Sequence, residues 1–197
     1  YKALNTANLT APTVTDPRKY FANSIYTGTA QSKTVRQCFD STGTAWTPDF
    51  VWIKGRSHAG EDVLVDSVRG SDNVLSVMSN GDEFKDVKAV TSLIEGGFTL
   101  GVGDDRNDSN DNAKTYVAWC MKAGGAASTN DDGGSDSSVS VADHGGFSIG
   151  TYAGTGSATT VGHGLSRAPS WVIVKKRAGS GTHTWTTYVD AIATDKG

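Results

Sequence analysis

Few residues in this chain have the types and spacing for chemistry. The 197 residues include four histidines, His58, His144, His163 and His183, and two cysteines, Cys38 and Cys120. Only three of the 21 acidic residues are glutamates, Glu61, Glu83 and Glu95. Glycoside hydrolysis needs two carboxyl groups about 5–10 Å apart across the scissile bond. None of the three glutamates lies at a spacing that would set such a pair on one strand. A serine hydrolase of the nucleophile-elbow type needs Gly-x-Ser-x-Gly at a strand-to-helix turn, and the run that fits the pattern, Gly146-Phe147-Ser148-Ile149-Gly150, reads instead as the start of a strand. Two cysteines cannot supply a four-ligand zinc site, and the two lie in unlike contexts. Two free thiols are the expectation, with a disulfide as the alternative. The chain reads as a non-enzyme.

Three features with binding chemistry remain. The run from Gly103 to Asn112 is dense in oxygen ligands, with Asp104, Asp105, Asp108 and Asp111 as candidate calcium ligands. The EF-hand register fails there. With Asp105 at the first position, Asn110 falls where Gly is required and Tyr116 where Glu is required. A solvated hairpin loop is the plainer alternative. His58 and His183 each follow an apolar strand in a loop, where exposure and a part in a binding surface are expected. Trp46, in a connector, and Trp185, flanked by Thr, are expected to be half exposed, suited to stacking on a sugar or to a protein interface. Trp52 and Trp119, inside apolar strands, are expected in the core. His163, in Gly162-His163-Gly164, reads as a turn histidine bonded to backbone.

The elements that would position these residues are strands. Gly, Ser and Thr number 24, 20 and 23, while Leu numbers 7. That balance favours turns and β-structure over helices. Short runs of β-branched and aromatic residues recur between Gly, Pro, Asn and Asp. Examples are Phe50 to Lys54, Val63 to Val65, Thr115 to Met121, Trp171 to Lys175 and Thr184 to Val189. Asp16-Pro17 predicts a short helical turn, with Asp as N-cap and Pro at the first position. Lys85 to Glu95 is the one stretch with helical spacing, through Val87, Val90 and Ile94. The net charge is −3 and no basic run is long, which gives nucleic-acid binding little support. No apolar run reaches the ~18 residues of a membrane span.

An internal repeat organises the chain. Phe21 to Val35 matches Phe147 to Val161, aligning Tyr26 with Tyr152 and Gly28 with Gly154. Pro48-Asp49-Phe50-Val51-Trp52-Ile53-Lys54-Gly55-Arg56 matches Pro169-Ser170-Trp171-Val172-Ile173-Val174-Lys175-Lys176-Arg177. The offset falls from 126 to 121 across the connector that carries Cys38 and Trp46. The expected division is residues 1–15 as the tail of a preceding segment, 16–125 as a first β-sandwich, 126–145 as a Gly/Asp/Ser-rich linker, and 146–197 as a partial second copy. The expected fold is all-β, with tandem antiparallel β-sandwich modules of jelly-roll or concanavalin-like type, and the chain reads as a fragment of a longer array. Asp66 and Arg69, three apart before Gly70, fit a turn in which the two side chains bond each other.

These motifs carry a family resemblance. The opening Tyr1-Lys2-Ala3-Leu4-Asn5-Thr6-Ala7-Asn8-Leu9 resembles the segment that closes a SPRY-like domain in many marine tailed-phage proteins. Tyr26-Thr27-Gly28, Pro48 to Lys54, Asp66-Ser67-Val68-Arg69-Gly70, Gly97 to Gly101 and Thr115 to Cys120 resemble, in order, a repeated module of unknown function that follows it. Val161 to Leu165 and Ala168-Pro169 continue the likeness. Met121 stands where that family often has Trp, and the connector around Cys38 is longer. The resemblance implies a virion component: a tail fibre, a tail-associated protein or a capsid decoration. Its implied partners are other virion proteins, copies of itself and a host-surface glycan. It implies no catalytic residue. A carbohydrate-binding module is the alternative reading, and a polysaccharide hydrolase a distant third.

Overall fold

The computed structural model describes residues 14–103, 109–179, 181 and 183–190. It is an all-β protein of the antiparallel sandwich class. Asp16 caps the 3-10 turn Pro17–Lys19 by accepting from the Arg18 N–H. Fourteen strands follow among the described residues: β1 Phe21–Thr27, β2 Lys33–Arg36, β3 Phe50–Gly55, β4 Val63–Asp66, β5 Gly70–Leu75, β6 Phe84–Lys85 and β7 Ser92–Ile94. Then come β8 Gly97–Leu100, β9 Thr115–Met121, β10 Ser128–Asn130, β11 Ser137–Val141, β12 Ser148–Tyr152, β13 Trp171–Lys175 and β14 Trp185–Val189.

A six-stranded sheet, ordered β1-β9-β3-β4-β5-β6, and a three-stranded sheet, β2-β8-β7, enclose the main core. Alternation along each strand sends every second side chain inward. From the larger sheet these are Tyr26, Val51, Ile53, Tyr116, Ala118 and Cys120; from the smaller, Val35, Phe98 and Leu100. Tyr26 stacks on Tyr116 with ring centroids 5.2 Å apart, and meets Phe98 edge-on at 6.4 Å. Cys38 and Cys120 are both free and buried in this core, and their thiols are hydrogen-bonded neighbours. The hydrogen bond with the Cys38 sulfur, and then burial, push the Cys120 thiol far above its ordinary pKa.

Two expectations about local structure change. The Lys85 to Glu95 stretch is not a helix. Asp86 turns the chain by accepting from the Lys88 and Ala89 N–H groups at 2.8 and 3.2 Å. Val90 then enters the core while Val87 is 68% exposed, so the apolar spacing never forms one face. Ladder pairing of β7 with β8 takes the rest. Likewise the Gly/Asp/Ser-rich stretch 126–145 carries β10 and β11. These pair with each other and with β12 in a second three-stranded sheet.

The repeat is visible in backbone pairing. In the β3–β4 hairpin Val51 faces Val65, and in the β13–β14 hairpin Val172 faces Tyr188. The bond that closes the first, Ser67 N to Asp49 O at 2.8 Å, recurs as Asp190 N to Ser170 O at 2.9 Å. Lys54 Nζ donates to Gly60 O, and Lys175 Nζ donates to the corresponding carbonyl, His183 O.

Candidate functional site

Three of the four residues singled out for binding gather where the β13–β14 hairpin meets the loop between β5 and β6. Trp185 Nε1 donates to Ser76 O at 3.0 Å. The His183 N–H donates to Asn80 O at 3.0 Å, and its ring Nε2 donates to Gly179 O at 2.7 Å. Asp82 Oδ1 lies 3.1 Å from the same ring nitrogen. His183 is therefore buried, against the expectation of an exposed loop, because the hairpin folds its loop down onto residues 79–83. His58 is half-buried beside Gly55 and meets Tyr116 edge-on, with centroids 5.4 Å apart. It lines an open cleft of about 700 Å³ with Glu61, Ser79, Asp82, Phe84 and Asp111.

A charged bridge fixes the hairpin here. Glu83 accepts from Arg69 Nη1 at 2.8 Å and from Arg177 at 2.9 Å (Nε) and 2.5 Å (Nη2). Arg69 is itself held by Asp66 Oδ2 at 2.6 Å and by the carbonyls of Asn73 and Leu64. Asp66 also accepts from the Val68 and Arg69 N–H groups, so the Asp66–Arg69 turn forms as its spacing predicts. Burial works to raise the Glu83 pKa, but the hydrogen bonds and charges of Arg177 and Arg69 outweigh it. The carboxyl sits below its ordinary range. The Glu83 N–H completes the junction by donating to Arg177 O at 2.7 Å.

Asp62 secures the loop from beneath. Fully buried, it accepts from Ser76 Oγ at 2.6 Å, Trp52 Nε1 at 2.5 Å and the Val77 and Met78 N–H groups. Lys175 Nζ adds a bond to Gly81 O at 2.9 Å.

The tryptophans exchange expected places. Trp46 is 5% exposed, with its Nε1 donating to Arg18 O, because its connector folds across the end of the core. It lies beside Lys19, Tyr20 and Asp40, away from the cleft. Trp52 and Trp119 instead pack on each other at 4.9 Å on the outer face of the large sheet, half-buried. Strand parity explains this, since Val51, Ile53 and Ala118 occupy the inward positions. His163 Nδ1 accepts from the Leu165 N–H at 3.0 Å, the turn role expected of it.

Of the candidate calcium ligands, Asp104, Asp105 and Asp108 lie outside the described residues. Asp111 is half-buried at the cleft, its N–H donating to Tyr116 Oη at 3.0 Å. Among the described residues no group of three or more potential ligands could hold a metal ion. Next to Asp111, the buried Asn110 ties three segments together. Its Nδ2 donates to Gln31 O and Gly101 O, and its Oδ1 accepts from the Thr29 N–H.

Sequence reading missed Ser76, Asp82 and Glu83. Only one pointer to them exists, the recurrence of Lys-x-Arg at Lys54 and Lys175, which marks Arg177 as the end of a repeated unit.

The architecture is that of an antiparallel β-sandwich protein whose second hairpin repeats the first. The family model for a domain of unknown function, DUF7483, matches residues 16–197, and the chain belongs to that family. Comparisons with curated proteins and with solved structures find no match. Among the described residues no helix is long and apolar enough to cross a membrane.

Proposed function

We propose that this chain is a non-enzymatic structural component of a tailed-phage virion, part of a tail fibre, a tail-associated protein or a capsid decoration. The resemblance of its ordered motifs to phage virion modules supports the reading. The observation that carries it is the Arg69–Glu83–Arg177 bridge. One repeated hairpin is fixed onto a loop of the other copy by charge-assisted hydrogen bonds, the kind of junction that keeps a tandem array stiff. Its partners are other virion proteins and copies of itself, and its surfaces are loops and sheet edges. Mass spectrometry of purified particles, with immunogold labelling in the microscope, tests this. Regular labelling at one structural position is expected, and absence of the protein from intact particles would refute it.

Carbohydrate binding is the second reading, favoured by one polar cleft that His58, Glu61, Ser79, Asp82 and Phe84 line, with Trp185 bonded to the backbone of Ser76 in its wall. Carboxylates and hydroxyls beside an aromatic ring suit a host-surface glycan. Titrating a host polysaccharide should then change tryptophan fluorescence, and Trp185→Ala should abolish the change. A response that persists in that variant removes the cleft from consideration.

A further inference from the structure

An open sheet ends in edge strands, each a row of unpaired N–H and C=O groups on which another strand can form. Among the described residues most edges here are short or charged. β6 has two residues, one of them Lys85, and β7 and β10 have three each. β2 carries Lys33 and Arg36 at its two ends. β13 ends in Lys175, and β12 has Gly150 at its centre. β1 departs from this pattern. Its seven residues, Phe21-Ala22-Asn23-Ser24-Ile25-Tyr26-Thr27, make it the longest edge strand described, and it holds no charge, no Pro and no Gly.

Backbone parity fixes what this edge offers. Among the described residues β1 pairs with β9 alone. In an antiparallel ladder alternate residues direct their N–H and C=O groups to the same neighbour. Lys122 N donates to Tyr20 O, and Gly28 N donates to Lys114 O, so the even residues of β1 face β9. The N–H and C=O groups of Phe21, Asn23 and Ile25 therefore point away from the sheet. Their side chains are exposed as well. Ser24 and Tyr26 turn into the core, while Phe21 is 44% exposed and Ile25 67%. On β9 these two stand opposite Met121 and Val117, with Trp119 opposite Asn23, so the apolar outer face of the large sheet runs up to its open edge.

A partner strand must set apolar residues against Phe21 and Ile25 and a polar one against Asn23. The open positions of β12, fixed by the bond from Ala142 N to Phe147 O, are Ser148, Gly150 and Tyr152, which put glycine at the centre. A second β1 supplies the match. Two antiparallel copies join their open groups only where odd residues face odd. With the two-fold axis at Asn23, Phe21 faces Ile25 of the second copy and Ile25 faces its Phe21. The two Asn23 amides, each donor and acceptor, meet at the axis. Arg18 and Lys19 fall opposite Gly28 and Thr27, so no like charges meet. An axis at Ser24 would instead set Phe21 against Thr27 and Asn23 against Ile25, and one at Ile25 would set Phe21 against Thr29.

We propose that two copies of this chain pair through β1, antiparallel and edge to edge, about a two-fold axis at Asn23. The two large sheets become one continuous sheet, and Phe21 and Ile25 gain cross-strand apolar neighbours. Copies of itself are among the partners proposed above, and this pairing gives that partnership a place on the molecule. The contact is one strand pair, at the small end of specific interfaces, so it forms and parts with concentration.

Sedimentation over about a hundredfold range of concentration should show a reversible passage from monomer to dimer. Ile25→Lys, at an exposed position, should keep the circular dichroism of the wild type and stay monomeric throughout. Mild oxidation should link Asn23→Cys into a covalent dimer, because the two residues 23 stand opposite each other at a Cα spacing of about 5.5 Å. Thr27→Cys should stay unlinked, since the two residues 27 lie about 27 Å apart along the strands. Cys38 and Cys120 are buried and take no part. Amide protection at Phe21, Asn23 and Ile25 should rise roughly tenfold from the dilute to the concentrated end. A wild type that remains monomeric overturns the proposal, as does association that persists in Ile25→Lys, or a Thr27→Cys that links as readily as Asn23→Cys. Equal protection of the three amides at every concentration would show that the chain covers its own edge, and overturns it as well. Particle labelling is a separate reading, so the virion assignment stands or falls without this pairing.

Discussion

Glu83 is the residue whose loss should be felt most at the junction, and its chemistry sets the size. The change Glu83→Gln keeps the shape and one carbonyl acceptor but removes the charge that two guanidinium groups share. Breaking a buried ion pair from one side costs about 3–5 kcal/mol, because a charge is left without compensation. Here Arg69, with a side chain 5% exposed, keeps Asp66 and two carbonyls. Arg177, at 43% exposed, turns to water. The expected cost is therefore lower, about 2–3 kcal/mol, most of it from Arg69. Removing the other cation, Arg177→Gln, should cost at most about 1 kcal/mol, as for exposed pairs.

Urea unfolding of the wild type and both variants measures the difference directly. The pH dependence is a second reading of the same interaction. The folded carboxyl has a pKa below its ordinary value of 4.5, so its stabilising effect is fully present above 4.5. It is lost as pH falls through the lower, folded value. The gap between wild type and Glu83→Gln should thus be constant at neutral pH and close in acid. A Glu83→Gln penalty below about 0.5 kcal/mol at pH 7, or a gap that does not narrow as the pH falls below 4.5, would refute the reasoning.

Two further outcomes follow from buried contacts. Cys38 and Cys120 should resist a thiol reagent such as Ellman's in the native protein and react together on unfolding, since both are buried and the Cys120 thiolate is strongly disfavoured; prompt labelling of either in native conditions would contradict the packing. Gly28→Ala should destabilise by about 1–3 kcal/mol, because a Cβ there would lie 2.2 Å from Asp111 O. Its repeat counterpart Gly154 has open space around it, so Gly154→Ala should stay within about 0.5 kcal/mol. Thermal melts of the two variants decide between unequal and equal environments.

Strand positions were legible because β-branched and aromatic runs are short and sharply bounded. The face each strand turns inward was not. Phe50-Val51-Trp52-Ile53 is apolar at every position, so parity alone cannot say whether Trp52 or Ile53 is core. The tertiary partner decides, and it chose the smaller pair. Trp46 misled for the opposite reason. It stands outside every strand, yet its connector seals the core with a bond from Trp46 N to Cys38 O. The junction was the least legible part. Glu83 and Arg177 lie 94 residues apart, and nothing in the spacing of either predicts the other.

The repeat shows why burial is a property of neighbours and not of a segment. Val51-Trp52-Ile53-Lys54 and Val172-Ile173-Val174-Lys175 share register, closing bond and lysine contact, so local sequence specifies the hairpin equally well in both copies. Their exposure nevertheless differs, because the β2-β8-β7 sheet packs across the inward face of the first, while the second stands in a two-stranded sheet of its own among the described residues. Charge takes over part of that role in the second copy. Arg177 and Lys175 tie the uncovered hairpin to residues 81–83 by polar bonds, where the first copy relies on apolar packing. Polar bonds of this kind weaken with salt and acid, while the packed core does not. The second hairpin should therefore open first as pH falls, ahead of the sandwich to which it is attached.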